Sequence, residues 1–141
     1  MKHKKTFMGK TFYGGGVVLY HGKKLLLQKI EGRDFWEDFG GKTDKEDESI
    51  LKTAFREGCE ESNDLLNTEF LDELIKMNKK KCYYLLQNNT YFIYVIYAPR
   101  IVKDILTPEK FGDTEIHDGI RRRVEWVDKG VNLHPRIRYK F

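Results

Sequence analysis

Residues 40–63 read GGKTDKEDESILKTAFREGCEESN, and the rest of the chain is organised around this stretch. It predicts a glycine turn, an acidic loop and then a helix. The helix is expected to begin near Asp47 or Glu48, with Asp47 as its cap, because acidic residues in a first turn interact favourably with the helix dipole. It is expected to end near Ser62, and Asn63 follows where a left-handed residue is favoured. One side of this predicted helix is apolar and carries Ile50, Leu51, Ala54, Phe55, Gly58 and Cys59.

Three glutamates cluster at the C-terminal end of this helix. Glu57, Glu60 and Glu61 stand at i, i+3 and i+4 and therefore share one helix face. Glu57 and Glu61 border the apolar side, and negative charge at a helix C-terminus opposes the dipole. A solvated acidic face is the ordinary interpretation of such a pattern, but a solvated face would lie opposite the apolar side. A bound cation would offset both unfavourable features, and carboxylate oxygens suit hard cations such as Mg²⁺ or Mn²⁺.

An arginine and two glycines flank the cluster. Arg56 is predicted to hold the cluster in place through a forked contact with Glu48 or Glu60, and an exposed, weakly paired arginine is the alternative. Gly40 and Gly41 are predicted to let the main chain approach the helix, where a backbone carbonyl would complete the oxygen ligands of a metal. An ordinary tight turn is the alternative interpretation of this glycine pair.

Most of the remaining chain alternates between predicted strands and turns. Aromatic and β-branched residues favour strands at 11–20, 24–30, 35–39, 82–86, 91–97 and 123–128. The first two strands form a predicted hairpin, and residues 87–90 connect a second one. The strand at 91–97 is apolar on both faces and is expected to be central in the sheet. The other predictions are a helix within 65–77, a short helix within 101–114, and loops at 31–34 and 115–119.

Length, composition and element order define the class of protein. The chain has 141 residues, of which 40% are hydrophobic and 34% charged, which suits a single domain over residues 1–141. Dominant hairpins and one strongly amphipathic helix favour an α+β sandwich over a doubly wound parallel sheet. No apolar run approaches the roughly 20 residues of a membrane helix, so no membrane partner is expected. Two cysteines, Cys59 and Cys82, do not make a disulfide framework and favour a cytoplasmic protein.

Positive charge is also clustered along the chain. The net charge of +4 is a mild preference for anionic partners. The basic clusters lie at residues 2–5, 79–81, 121–123 and 136–140. Each cluster alone is more often a solvated face than a binding surface. Together with an acidic metal cluster, they favour a small phosphorylated substrate.

The stretch from Gly41 to Asp64 resembles the signature of the Nudix hydrolases. That signature is written G-x5-E-x7-R-E-U-x-E-E-x-G-U, where U is a bulky aliphatic residue. Its charged positions are matched by Glu48, Arg56, Glu57, Glu60 and Glu61. The sequence around the stretch is also similar to the strands of that family, at residues 14–19, 25–29, 36 and 124–127.

Five departures from the signature leave every charged group in place and bear on packing and loop shape. One extra residue separates Gly41 from Glu48. Gly58 replaces an aliphatic residue, and Asn63 replaces a glycine at a position where a left-handed backbone tolerates it. The other two departures are Phe39, where many members have proline, and Asp64, in place of the last aliphatic residue.

The resemblance implies a fold, an activity and a set of site residues. The implied fold is an α/β/α sandwich with a mixed, largely antiparallel sheet. The implied activity is metal-dependent hydrolysis of the pyrophosphate linkage in a nucleoside diphosphate joined to another moiety. Gly40 and Glu48 would support the structure of the motif, and Arg56, Glu57 and Glu60 would act in catalysis. The implied ligands of Mg²⁺ or Mn²⁺ are Gly41, Glu57, Glu60 and Glu61.

The general base is expected on a late loop, as in some members of the family. Glu115, Asp118 and Glu125 are candidates, and His117 is an alternative to these carboxylates. Glu115 is preferred because it lies in a predicted loop, whereas Glu125 lies in a predicted strand. Each of these side chains, taken alone, is more often simply solvated.

The sequence does not decide which substrate the protein acts on. Phe12, Tyr13, Phe35 and Trp36 are candidates for base stacking, although aromatic residues on strands are more often core. Residues 121–123 and the basic tail suit several phosphates, as in a dinucleoside polyphosphate, a diphosphoinositol polyphosphate or a capped RNA end. Nucleotide sugars and nucleoside triphosphates are equally open. The alternative functions are a catalytically silent Nudix-like module that binds nucleotide or RNA, and an unrelated α+β domain with a plain acidic helix.

Overall fold

The computed structural model of the chain describes residues 3–138 and 140–141. Lys2, in the first basic cluster, and Tyr139, in the basic tail, lie outside these residues. The described part of the chain contains eight strands, five α-helices and one 3₁₀ turn. In chain order these are β1 Lys5–Phe7, β2 Lys10–His21, β3 Lys24–Ile30, β4 Phe39–Lys42, α1 Ile50–Glu61, α2 Thr68–Met77, the 3₁₀ turn Lys79–Lys81, β5 Tyr83–Gln87, β6 Thr90–Tyr97, α3 Arg100–Ile105, α4 Pro108–Phe111, β7 Thr114–Glu115, β8 Ile120–Asp128 and α5 Pro135–Arg138.

The strands form a mixed sheet in the order β5-β6-β2-β3-β8-β7, with β1 and β4 paired to β2 beside this path. Only the β2–β6 pairing is parallel among the described strands. Both predicted hairpins are present, as β2–β3 and β5–β6. The central position predicted for β6 is confirmed, since β6 lies between β5 and β2. The α+β class with a mixed, largely antiparallel sheet is therefore confirmed.

Apolar side chains alternate along the strands and form a core on each face of the sheet. On one face, Val17 of β2 and Leu26 of β3 pack with Ile50 and Ala54 of α1. On the other face, Val18 and its neighbours pack with Ile137 of α5. Helices thus cover both faces, and helix α1 lies directly on the sheet beside β2 and β4.

Strand β2 is twelve residues long and positions the stretch around which the chain is organised. Its residues 14–17 pair with β4, and its residues 19–21 pair with β3. Gly40 and Gly41 therefore lie in strand β4, opposite Gly16 and Gly15. The prediction of a glycine turn is wrong here, because both glycines are extended residues that pair with other glycines in a crowded part of the sheet. Residues 35–38 make only isolated bridges instead of the predicted strand.

Helix α1 begins three residues later than Asp47, at Ile50. Ser49 caps it, and its side chain accepts a hydrogen bond from the Lys52 backbone N–H at 3.2 Å. The prediction of Asp47 as the cap is wrong, because that carboxylate is bound to another partner described below. The helix ends at Glu61 with Ser62 as its C-cap, as predicted. Asn63 has a φ of 56° and confirms the predicted left-handed position.

Two other predictions need correction in the second half of the chain. Glu115 lies in the short strand β7 and is buried, so the prediction that it lies in a loop is wrong. The last strand begins three residues earlier than predicted, at Ile120. The second helix is confirmed as α2, which begins after the cap Asn67. Every helix within residues 3–138 and 140–141 falls short of the length and apolar character that a membrane crossing requires.

Candidate functional site

The glutamate cluster lies where the end of α1 packs against strand β4. The backbone N–H of Gly40 donates a hydrogen bond to Glu61 Oε1 at 2.8 Å. The side-chain amide of Gln28 donates to the same oxygen at 2.8 Å. Beside it, a Cβ at position 41 would collide with the Glu57 carboxylate, so only glycine leaves room for Glu57 against the strand. The predicted close approach of Gly40 and Gly41 to the helix is thus present in the structure.

The opposite face of β4 covers a buried polar network. Tyr91 donates a hydrogen bond to Asp38 Oδ2 at 2.7 Å, and Arg136 Nε donates to Asp38 Oδ1 at 2.8 Å. A Cβ at Gly40 would collide with the Tyr91 hydroxyl and the Asp38 carboxylate, and a Cβ at Gly16 would collide with Asp38. These glycines therefore hold β4 between the network on one face and the glutamates on the other.

Arg56 makes its forked contact with Asp47 and not with Glu48 or Glu60. Its Nε donates to Asp47 Oδ1 at 2.8 Å, and its Nη2 donates to Asp47 Oδ2 at 3.0 Å and to the Lys42 carbonyl at 2.9 Å. Burial opposes ionisation of Asp47, but hydrogen bonds from Arg56 and Thr53 outweigh it and lower the pKa of Asp47 to about 2. Glu48 is exposed and has no hydrogen bond or ion pair within the described residues.

The Arg56 guanidinium is also the cation nearest to the cluster. Its Nη1 lies 3.5 Å from Glu57 Oε2 and 3.4 Å from Glu60 Oε2. Arg56 is thus held by Asp47 and presents its second edge to two of the glutamates. Asp47 therefore makes the contact with Arg56 that was expected of Glu48. Asp47 stands six residues after Gly41, as the acid of the signature does, but nine before Arg56, where the signature has eight.

The turn at residues 116–119 borders the cluster from the other side. His117 Nε2 lies 3.9 Å from Glu60 Oε2, and the charge of Asp118 contributes to the raised pKa of Glu57. The carboxylate of Glu115, in contrast, is bound within the turn itself. Its two carboxylate oxygens accept hydrogen bonds from the backbone N–H groups of His117 and Asp118, at 2.8 and 2.9 Å. The geometry therefore makes Glu115 a residue that positions the turn, and it favours Asp118 and His117 over Glu115 as candidates for a base.

Asn63 holds the same turn in place. Its side-chain amide donates to the carbonyls of Phe111 and Thr114, each at 2.9 Å. Its Oδ1 accepts a hydrogen bond from the Ile116 backbone N–H at 2.8 Å. Glycine would supply the left-handed backbone at this position but none of these three bonds. The asparagine therefore connects the end of α1 to the segment that carries His117 and Asp118.

Gly58 owes its place in the middle of α1 to packing against the sheet. It is buried, and a Cβ at this position would lie 2.7 Å from Cγ2 of Val17. Since Val17 is fully buried in the core, a bulky aliphatic side chain at position 58 has no room. This departure from the signature keeps α1 close to β2 and leaves the glutamate face unchanged.

Two of the three glutamates have strongly raised pKa values. Burial raises the pKa of Glu57 to about 7; Arg56 opposes the shift, and Glu60 adds to it. Burial raises the pKa of Glu61 to about 8, against the hydrogen bond from Gly40, and the charge of Glu57 adds to the shift. The side chain of Glu60 is more exposed, at 29% compared with 14% for Glu57. The cluster therefore places unfavourable negative charge in a partly buried site.

The residues present fit a hard divalent cation by their chemistry. The donors are carboxylate oxygens with a nearby strand backbone, which is the donor type that Mg²⁺ and Mn²⁺ prefer. As arranged in this structure, these side chains do not form a complete set of metal ligands. Within residues 3–138 and 140–141, no group of three or more His, Cys, Asp or Glu side chains is arranged to hold a metal ion. Glu61 is turned to Gly40 and Gln28, and Glu60 is turned to Arg56 and His117.

The remaining candidates lie away from the glutamates. Glu125 lies 3.6 Å from Arg123, and it alternates along β8 with Val124 and Trp126, which pack in the core on the face of α1. It therefore points to the opposite face of the sheet. Phe12 is fully buried in the core, and the ring of Trp36 lies beside the Arg123 guanidinium, with 5.5 Å between them.

Three residues that the sequence interpretation did not assign to the site are Asp47, Gln28 and Asn63. Spacing does not separate Asp47 from Glu48, because the extra residue falls before Arg56 for Asp47 and after Gly41 for Glu48. Gln28 is a polar residue in a strand that is otherwise apolar at its centre, and it is 2% exposed. A buried polar group needs a partner, so this residue was a signal of a contact with another polar group. The contacts of Asn63 lie about 50 residues away in the sequence and left no local signal.

No family model matches the chain, and no curated protein matches it. The resemblance of residues 41–64 to the Nudix signature therefore stays a prediction.

Proposed function

We propose that the protein is a metal-dependent hydrolase of Nudix type that cleaves the pyrophosphate linkage of a nucleoside diphosphate joined to another moiety. The observation that carries this proposal is the pair Glu57 and Glu61, held partly buried against β4 with pKa values raised to about 7 and 8. Carboxylates in such surroundings cluster at functional sites more often than on structural surfaces.

The arrangement supports distinct roles for the side chains around this pair. Arg56, fixed by Asp47, places a cation beside Glu57 and Glu60, where its charge offsets the repulsion between the two carboxylates. Glu57, beside Gly41, is either a ligand of the metal or the group that orients the attacking water. Asp118 and His117 are the other groups placed to accept a proton from water, on a turn that Glu115 and Asn63 hold.

A divalent cation, when bound at Gly41, Glu57, Glu60 and Glu61, would neutralise charge on the phosphate oxygens of the substrate. The chain's own contribution is to remove these carboxylates from bulk water and to fix their backbone neighbours. The two free cysteines suit the reducing cytoplasm, where we propose that the protein acts.

A phosphate-release screen with Mg²⁺ or Mn²⁺ tests the proposal. The panel contains nucleoside triphosphates, ADP-ribose, dinucleoside polyphosphates, inositol pyrophosphates and capped RNA. For the substrate that is cleaved, Glu60→Gln and Glu61→Gln are each expected to lower kcat/KM by at least roughly tenfold. Loss of a residue that merely hydrogen-bonds to a metal ligand already lowers metal affinity or activity by about 10- to 100-fold. Glu73→Gln is the matched control, because Glu73 is an exposed glutamate on α2.

Two outcomes would contradict the proposal. One is a full panel without hydrolysis, and the other is hydrolysis that survives both substitutions. If nucleotide bound without being cleaved, a catalytically silent module would replace the enzyme as the better explanation.

A further inference from the structure

A second cluster of charge, opposite in sign, lines a cavity at one end of strands β3 and β8. The cavity has a volume of about 380 Å³, which is within the usual range for small-molecule sites. Five cationic side chains line it, namely Lys29, Arg33, Arg121, Arg122 and Arg123. The acidic side chains in its wall are Glu31 and Asp113. The wall is therefore cationic, although three of the five cations, Arg33, Arg121 and Arg123, each have a carboxylate within 4 Å.

Two of these cations are placed directly opposite each other. Lys29 and Arg123 are cross-strand partners in the antiparallel β3–β8 pair, so their side chains share one face. Like charges in such a pair are destabilising. Lys29 has no hydrogen bond or ion pair among the described residues, whereas Arg123 lies 3.6 Å from Glu125 and beside the Trp36 ring. An anion between them would remove the repulsion.

Arg122 makes the cavity more than an exposed basic surface. It is only 3% exposed, and it has no ion pair within the described residues. Its Nη1 donates to the carbonyls of Phe111 and Gly112, and its Nη2 donates to the carbonyl of Glu61 at 3.2 Å. Its Nε is buried and has no hydrogen-bond partner in the described part of the chain. Burial of a charge is unfavourable and lowers the pKa of Arg122, and the nearby charges of Glu115, Glu61 and Asp113 oppose this shift.

Arg122 also links this cavity to the glutamate cluster. Through its bond to the Glu61 carbonyl, the wall of the cavity contacts the last residue of α1. Gln28 is bound to the Glu61 carboxylate on the face of α1, whereas its neighbour Lys29 points to the opposite face of the sheet. A substrate whose reacting linkage lies at the glutamates would therefore reach the cavity past the ends of β3 and β8, where Arg122 lies.

We propose that this cationic cavity binds phosphate groups of the substrate other than those at the cleaved linkage, so that the preferred substrates are small molecules with additional phosphates. That the bound phosphates belong to a substrate rests on the proposed hydrolase function. The binding of phosphates to the cavity is itself independent of hydrolysis. A compact concave site favours a small polyphosphate over RNA, because single-stranded RNA uses extended grooves with stacking aromatic rings.

The binding experiment uses inorganic tripolyphosphate and the intact protein in EDTA, so that no metal takes part. We expect one molecule to bind, with Lys29→Gln and Arg123→Gln each weakening the affinity about tenfold, as for the loss of one charged hydrogen bond. Lys80→Gln is the control, since Lys80 belongs to another basic cluster, next to β5 at the far side of the sheet. An equal loss in Lys80→Gln, or no binding by the unmodified protein, would overturn the proposal.

RNA is tested as a competitor in the same assay. An oligonucleotide that binds more tightly as it is lengthened, and that displaces tripolyphosphate, would overturn the choice of a small ligand. Failure of a 20-nucleotide RNA to displace tripolyphosphate at moderate salt supports that choice.

Hydrolysis supplies the second readout. For a dinucleoside polyphosphate, Lys29→Gln is expected to raise KM about tenfold with little change in kcat, while ADP-ribose, which has two phosphates, is cleaved at an unchanged rate. Equal effects on both substrates would overturn the proposal. If the protein hydrolyses nothing in the panel, the function proposed above fails, and the tripolyphosphate assay still decides whether the cavity binds phosphates.

Discussion

Arg56 and Asp47 form a forked ion pair across the loop that precedes α1, with N–O distances of 2.8 and 3.0 Å. The pair does more than close the loop, because the same guanidinium lies within 3.5 Å of Glu57. Asp47 also accepts a hydrogen bond from the Thr53 hydroxyl at 2.7 Å. The position of the cation that lies against Glu57 and Glu60 thus depends on one buried aspartate.

Asp47→Asn is therefore expected to destabilise the protein, whereas Glu48→Gln is not. The asparagine leaves Arg56 without its main counterion, and a hydrogen bond to a charged group is worth about 1.5–3 kcal/mol. Chemical denaturation measures the free energy of unfolding of both variants. A larger loss in Glu48→Gln than in Asp47→Asn would show that Glu48, as the signature implies, is the partner of Arg56.

The hydrogen bonds of Asn63 lead to a second prediction. Asn63→Gly keeps the left-handed backbone but removes three bonds to residues 111–116, so we expect a loss of about 1–3 kcal/mol in the free energy of unfolding. The backbone N–H of Ile116, which donates to Asn63, is expected to exchange with solvent faster in this variant. Hydrogen exchange measured by NMR gives this readout residue by residue.

Asn89→Gly is the control for Asn63→Gly. Asn89 is also left-handed, with a φ of 65°, but it is exposed in the turn between β5 and β6. Its replacement is expected to change stability by less than about 0.5 kcal/mol. Equal effects at the two positions would mean that backbone conformation alone, and not the bonds to residues 111–116, determines the choice of asparagine.

Gly40 and Gly41 are adjacent in β4 and face opposite sides, so alanine at each tests a different face. In Gly41→Ala the new methyl group meets the Glu57 carboxylate, which is the end of a flexible side chain and can move. We expect near-normal stability with weakened Mg²⁺ binding. In Gly40→Ala the methyl group meets the buried Tyr91 hydroxyl and Asp38, so a loss of about 1–3 kcal/mol is expected.

Denaturation curves and Mg²⁺ titrations of both variants separate these two effects. The interpretation of β4 as a divider between two polar sites would be contradicted if Gly41→Ala unfolded more readily than Gly40→Ala. It would also be contradicted if Mg²⁺ binding were the same in Gly41→Ala and the unmodified protein.

The fold could be predicted from the sequence wherever the signal lay within a single strand or helix. Runs of apolar, aromatic and β-branched residues placed β2, β3 and β6 within one or two residues, and the amphipathic pattern placed the end of α1. The position of Asn63 followed from the left-handed conformation that asparagine tolerates at a helix end. Such signals arise within one element, so a single sequence contains them.

The arrangement of the site was less predictable because it depends on contacts between distant elements. The glycine pair was predicted as a turn, since glycine weakens strands in general. Its extended conformation follows from Tyr91 and Asp38, which are brought together by the β2–β6 and β2–β4 pairings. Likewise, the partner of Arg56 was decided by burial, which favoured Asp47 over the exposed Glu48 one residue away.

The raised pKa values of Glu57 and Glu61 predict that stability falls as pH rises, which is the opposite of the usual effect of acidic groups in a folded protein. Both lie above the ordinary value of 4.5, so the folded protein binds more protons than the unfolded chain between pH 4.5 and about 8. The favourable contribution of the protonated forms is complete below pH 4.5 and is lost as pH rises through about 7 and 8. Without metal, stability is therefore expected to fall over this range.

Mg²⁺ is expected to oppose this loss, because a cation binds the deprotonated carboxylates and releases their protons. The increase in Tm caused by several millimolar Mg²⁺ should then be small at pH 6 and larger at pH 8.5, since only a ligand of the native state raises its stability. Differential scanning fluorimetry at both pH values, with EDTA as the reference, measures the increase. Glu61→Gln should reduce the pH dependence of stability without abolishing it, because the amide does not titrate whereas Glu57 still does. An increase in Tm that is the same at both pH values, or larger at pH 6, would show that Mg²⁺ does not bind these carboxylates.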